Sequence, residues 1–268
     1  MTKKLLLITI AAALSLGSQI QAQTTAAAAP VTTQKVWFVK VNQGKSQEWL
    51  KLLREVSVKT AQVRADAGEI ISWTVLRSEY PAGEEARADY MISEISAGNP
   101  KSGGMSTADQ YKKAGITMTV EEVSAKRNEL SHLVASELWR PRIYNGSAHK
   151  GDYLTINYMK VHDEKSYADL ERNVWSPISQ EWIKQGAMTG WLYATKMLPG
   201  GSDTVYTTRT VDMYPSLEAV YADRKFDETF AKVHPGKKLD DVMAQMEKAR
   251  DLGRRELWRV VERVTKKE

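Results

Sequence analysis

Four histidines are the only side chains that titrate near neutrality in this 268-residue chain: His132, His149, His162 and His234. Cysteine is absent, which excludes thiol nucleophiles, thiolate metal ligands and disulfides. No H-x-H, H-x-x-x-H or H-E-x-x-H spacing occurs, so no local metal motif is present. G-x-S-x-G is missing, and Gly103-Gly104 has neither P-loop nor G-x-G-x-x-G context. What remains is acid/base chemistry by imidazole, with amides, indoles and phenols as positioning groups. His162 ends a strand-like segment at a sheet edge where a pocket can open. His234 precedes Pro235-Gly236 in a loop before the last helix. These two are the expected catalytic residues.

Strand alternation supplies the expected substrate-binding residues. In Tyr153 to Val161, Thr155, Asn157 and Met159 share one face; Leu154, Ile156 and Tyr158 share the other. The aliphatic face is expected against helices and the polar-aromatic face toward a cavity. Trp191, Tyr193 and Thr195 share a face of the next strand, and Tyr206 and Thr208 one of the following strand. Asn157, Trp191, Tyr193 and Tyr206 are therefore expected to bind a ligand. The 8 Trp and 11 Tyr against 3 Phe suit a wall that is apolar with polar tips.

These segments belong to a duplicated unit. Glu137-Leu138-Trp139-Arg140 recurs 119 positions later as Glu256-Leu257-Trp258-Arg259. Gly68, Trp73, Pro81 and Gly83 recur as Gly186, Trp191, Pro199 and Gly201, and Val41 with Lys45-Ser46 recurs as Val161 with Lys165-Ser166. Each copy reads strand, long amphipathic helix, two strands around a Pro/Gly turn, helix, closing strand. The final helices are expected over about 120–134 and 239–252. Pro177 is expected to kink or restart its helix, and Gly68 and Gly186 to end theirs. The histidines break the repeat: Asn42 stands opposite His162 and Gly115 opposite His234, which places any active site in the second copy. Arg140 and Arg259 are kept in both copies and read as structural.

The order β-α-β-β-α-β is that of the ferredoxin-like split βαβ unit. Such a unit covers one face of its sheet with helices. Two tandem repeats are expected to pair their antiparallel sheets into an eight-stranded barrel with helices outside, which either fills or holds one small ligand. On this topology and duplication, over about residues 35–265, the chain resembles the dimeric α+β barrel superfamily, which includes antibiotic-biosynthesis monooxygenase-like, EthD-like and NIPSNAP-like proteins. The stretch Glu171-Arg172-Asn173-Val174-Trp175-Ser176-Pro177 to Gly186 and Trp191 is similar to exported bacterial members. The resemblance implies a small hydrophobic or aromatic ligand between the sheets, with cofactor-independent oxygenase or general acid/base chemistry. Two alternatives stay open: a haem-binding protein with a His axial ligand, and a non-catalytic periplasmic structural or stress module. No cofactor is otherwise expected.

Residues 1–22 read as a signal peptide, with Lys3 and Lys4 before the apolar run Leu5 to Leu16 and cleavage after Ala22. A disordered leader is expected over 23–34, repeat one over 35–145, a linker over 146–152 and repeat two over 153–268. Export to the periplasm or medium follows, with no stable membrane insertion. Removing the signal lowers the net charge from +5 to +3, and the remaining charges are interspersed, so no nucleic-acid partner is expected. The barrel is expected within a monomer or a homodimer.

Overall fold

The computed structural model describes residues 31–100, 103–202 and 204–267. The expected signal peptide lies outside the described residues. In the first repeat, β1 (Thr32–Val41) leads to α1 (Ser46–Leu52), a π-helical stretch (Leu53–Val58) and α2 (Lys59–Asp66). Then come β2 (Ser72–Tyr80), β3 (Tyr90–Ala97), α3 (Thr107–Ala114), α4 (Val120–Leu130) and β4 (Ser131–Gly146). The second repeat follows the same course: β5 (Tyr153–Val161), α5 (Glu164–Leu170), a π-helical stretch (Glu171–Trp175), α6 (Ser176–Lys184), β6 (Gly190–Leu198) and β7 (Thr208–Tyr214). It adds α7 (Leu217–Tyr221) and α8 (Phe226–Val233) before α9 (Leu239–Ala249) and β8 (Arg250–Thr265). β1 begins inside the segment expected as leader.

The first repeat orders its strands β4-β1-β3-β2 and the second β8-β5-β7-β6, all antiparallel. β2 pairs with β8 and β4 with β6, so each repeat closes the other's edges into one eight-stranded barrel. Helices pack outside. One core fills the barrel with residues of both repeats, among them Phe38, Trp139, Ile156, Tyr158, Leu192 and Trp258. Two further cores lie between each half-barrel and its own helices.

The local chemistry explains the helices. Thr119 and Glu122 form a capping box at the start of α4, and the Asp163 side chain accepts from the Ser166 N–H to open α5. The π-helical stretch adds residues to a turn and rotates the buried stripe. Before it Trp49 and Leu52 are buried; beyond it Ala61 and Ala65 are buried. Pro177 sits in the first turn of α6, directly after the π-helical stretch, so its missing N–H falls at the π-to-α junction of a helix that continues through it rather than restarting. Gly68 and Gly186 follow the helix ends with φ of +72° and +75°.

Two expectations are corrected. The final helices stop at Leu130 and Ala249, and the closing strands run for 16 residues each. His132 therefore lies on β4, paired with Lys40, rather than in a helix. The faces of β5 and β6 are also reversed. Leu154, Ile156, Leu192 and Ala194 face the barrel, while Met159, Trp191 and Tyr193 face the helices. The barrel interior already takes the large rings of Phe38, Trp139, Tyr158 and Trp258, so the neighbouring inward positions of β5 and β6 are filled by the smaller Leu154, Ile156, Leu192 and Ala194.

Candidate functional site

The repeated Glu-Leu-Trp-Arg builds the site. On β4 and β8 the Glu and Trp, two residues apart, both point inward. Trp139 Nε1 donates to Glu137 Oε2 at 3.0 Å, and Trp258 Nε1 to Glu256 Oε2 at 2.9 Å. Both carboxylates are buried, so each indole N–H satisfies an acceptor that has left water. The Leu and Arg of the motif take the other face. Arg140 donates to Asn99, and the Arg259 guanidinium lies 5.4 Å from the Tyr153 ring.

The rest of the site is asymmetric. Phe38 pairs with Met91 in repeat one, whereas the matching pair in repeat two is Tyr158 with Arg209. Ser78 stands across from Trp258, whereas Lys196 stands across from Trp139. Glu137 thus becomes a hub. Its Oε1 accepts from Tyr206 Oη at 2.6 Å, lies 3.2 Å from Arg87 Nη1 and Nη2, and lies 3.2 Å from Lys196 Nζ. Arg87 Nη1 also donates to Tyr206 Oη at 2.7 Å. Glu256 has one ion pair, with Arg254 Nε at 2.5 Å. Burial alone would raise the Glu137 pKa, but the Tyr206 hydrogen bond and the Lys196, Arg209 and Arg87 charges hold it below the usual carboxylate range.

These groups open on a cleft of about 530 Å³ at one barrel mouth. The starts of β4 and β8, the ends of β5 and β6 and the β6–β7 loop form it. Among the described residues its walls carry three cations, Arg87, Lys196 and Arg254, and one carboxylate, Glu137. Tyr206 stacks on Trp139 with ring centroids 6.1 Å apart and approaches Tyr158 at 4.6 Å; Lys196 Nζ sits 4.2 Å from the Tyr206 ring. The Tyr158 hydroxyl is buried at this mouth with no hydrogen-bond partner among the described residues. Burial keeps it protonated, far above the usual phenol range. The arrangement has the chemistry to attract an anion, present aromatic faces and donate hydrogen bonds.

Of the residues expected from the sequence, only Tyr206 lines this cleft. Asn157 stands on the outer face, donating to Thr210 and Asp212 and accepting from Arg255 Nε at 2.5 Å. Trp191 and Tyr193 belong to the core beneath the helices, where Tyr193 meets the edge of Tyr167. Exposed His162 Nε2 lies 2.9 Å from Asp251. His234 is buried beside Phe230, with Nε2 3.1 Å from the Val174 carbonyl oxygen. Sequence reasoning passed over Glu137, Arg87, Lys196 and Tyr158. The signal was the repeated motif itself, read with alternation and with the positions where the second copy swaps an apolar or small residue for a charged or hydroxylated one.

A haem bound through an axial histidine does not fit the mouth, because no histidine stands in its walls. Among the described residues no three His, Asp or Glu side chains gather as a metal site. No helix of the described residues is long and apolar enough to cross a membrane.

No protein-family model matches the chain, and no curated protein matches it. Solved structures do. A candidate monooxygenase from Fusobacterium nucleatum subsp. nucleatum superposes with a TM-score of 0.54 at 11% identity, covering 88% of this chain and 95% of its own. A candidate monooxygenase from Lactobacillus acidophilus gives 0.49 at 10% identity, covering 88% and 96%. A haem-binding protein from Thermus thermophilus gives 0.48 at 11%, covering 87% and 92%. At these identities the likeness is one of fold: the duplicated ferredoxin-like α+β barrel.

Proposed function

We propose that the chain binds a small planar organic anion in the mouth cleft. The carrying observation is the excess of cations over carboxylate among the described wall residues, beside the rings of Tyr158 and Tyr206. Lys196 and Arg87 are drawn to Glu137 and Arg254 Nε to Glu256, so the ligand's charge is met by the Arg254 Nη groups together with Lys196 and Arg87, with Tyr158 as donor and Tyr206 as an apolar platform. Such a field favours a phenolate, enolate or carboxylate over its neutral form. Oxygenation of an electron-rich phenolate or enolate without a cofactor is the enzymatic version of this reading; the Fusobacterium protein, named as a candidate monooxygenase, is its counterpart in fold. Fold alone selects no reaction. In this version His162 and His234 take no part, since both lie elsewhere, and the unpartnered Tyr158 hydroxyl is the hydrogen-bond donor to the ligand.

The test is calorimetric titration with benzoate, salicylate and the neutral benzamide. The anions bind and benzamide does not, and Lys196→Met weakens binding by about tenfold, the effect of one charge-assisted contact. Equal binding of benzamide, or unchanged affinity in Lys196→Met, overturns the reading. A Soret band after haemin titration, lost in His162→Ala or His234→Ala, would instead favour the haem alternative.

We further infer that the protein is an exported member of the dimeric α+β barrel superfamily and acts outside the cytoplasm. The support is the Lys3-Lys4 start and apolar run that precede the barrel. The intact mass of the secreted product tests it, beginning at Gln23 on this reading.

A further inference from the structure

The opposite end of the barrel holds a second, separate chamber. Strand polarity places it there: its walls come from the starts of β1, β2, β5 and β6 and the ends of β4 and β8, with β3 and β7 contributing along their length from Met91 to Ile95 and from Arg209 to Met213. Its volume is about 40 Å³, more than one water needs and enough for a small ion. The polar wall groups are Gln34, Ser72, Thr74, Ser93, Tyr144, Arg209 and Arg263, and no carboxylate stands among the described wall residues.

Arg209 is the unusual member. It is 1% exposed, yet its guanidinium makes one hydrogen bond, from Nη2 to Gln34 Oε1 at 2.8 Å. Nε and Nη1 have no partner among the described residues. One face lies on the Trp139 ring at 4.2 Å. Gln34 is held for this contact, since its Nε2 donates to Ser93 Oγ at 2.7 Å and leaves Oε1 to accept. Arg263 donates to Thr74 Oγ1 at 2.9 Å at the outer edge of the chamber. Glu137 feels the Arg209 charge but makes no hydrogen bond to it, and its oxygens are shared among Arg87, Lys196, Tyr206 and Trp139. A buried cation with open donors needs a counter-charge, because desolvating an uncompensated ion is costly.

We infer that this chamber is a binding site for a small inorganic anion of chloride to nitrate size, held by Arg209 with Arg263 and the hydroxyls of Ser72 and Ser93. The anion neutralises Arg209 inside the barrel and ties the two repeats together, since Gln34, Ser72 and Ser93 come from one and Arg209 and Arg263 from the other. Larger anions are excluded by volume. The site shares no wall residue with the mouth cleft, and its test uses no organic ligand, so either assignment can fail without the other.

The experiment is thermal unfolding of the full mature chain in chloride, bromide or nitrate against gluconate at equal ionic strength. The small anions raise Tm by roughly 3 °C over gluconate, through preferential binding to the folded state. Arg209→Met, which installs the residue that Met91 supplies at the matching position of repeat one, abolishes that difference. Equal Tm in all four salts, or an undiminished rise in Arg209→Met, overturns the assignment. If Arg209→Met fails to fold, anomalous diffraction from crystals grown in bromide decides. A peak within hydrogen-bonding distance of Arg209 supports the site, and an empty chamber refutes it.

Discussion

Glu137 shows how burial sets the weight of an ion pair. Lys165 and Asp169 lie 2.7 Å apart on the surface, where solvent screens the charges and the pair contributes little. Glu137, with a side chain 1% exposed, cannot lose its charge without leaving Lys196 buried and unpaired. Glu137→Gln is expected to cost about 3 kcal/mol, near the low end for breaking a buried pair because Arg87 is partly exposed and free to turn toward water. Lys165→Ala should leave stability nearly unchanged, since solvent screens the pair. Urea denaturation of both variants checks the contrast. Because the folded pKa of Glu137 is depressed, its contribution is present above the ordinary carboxylate range and disappears as pH falls through the depressed value.

Glu171 behaves in the opposite sense. It is 3% exposed in the second π-helical stretch, and burial pushes its pKa up to about 8 against the pull of the Tyr167 hydroxyl. Between the ordinary value of 4.5 and about 8, the folded protein keeps a proton that the unfolded chain has released. Stability therefore falls as pH rises across that window. Asp212, also raised by burial, adds to the slope. Glu171→Gln keeps the neutral shape, so it should match the parent near pH 5 and exceed it in Tm near pH 8, roughly the two ends of the window. Parallel Tm curves for the two proteins would refute this account.

Among the elements, the β4–β6 junction is the tightest seam. Gly146 has φ of +66°, and a Cβ there would run into the Thr189 carbonyl oxygen. At Gly190 a Cβ would meet Met213 Sδ at 2.8 Å. Gly146→Ala is expected to destabilise by about 2 kcal/mol through backbone strain and loss of close approach, read as a lower urea midpoint with an unchanged slope. The same scale shows why the helix ends were misplaced. Residues 131–134 and 250–252 continue an amphipathic pattern, but pairing to β1 and β5 offers them a ladder of hydrogen bonds, and tertiary pairing overrides local preference. His132 moved from helix to strand for that reason.

At the scale of the molecule, the barrel core is shared by both repeats, so neither half has a complete core of its own. Tryptophan fluorescence and far-ultraviolet circular dichroism should report one coincident transition. Two separated transitions would contradict the shared core. Since the strands close within one chain, the mouth cleft needs no second subunit, and sedimentation should show ligand binding by the monomer.

The sequence by itself determined the duplication, the strand and helix order and the two-sheet pairing, because hydrophobic periodicity and turn residues act locally and leave a repeated trace. It also carried the pair that anchors the site, Glu137 with Trp139 and Glu256 with Trp258, in plain view as a repeated tetrapeptide. Only the tertiary structure decided which face turned inward. Period-2 alternation separates two faces without saying which is the crowded inside of a closed ring, so Asn157, Trp191 and Tyr193 fell outside. Nor could spacing bring Arg87, Lys196 and Tyr206 to one carboxylate. They come from different strands and loops, and barrel closure alone makes them neighbours.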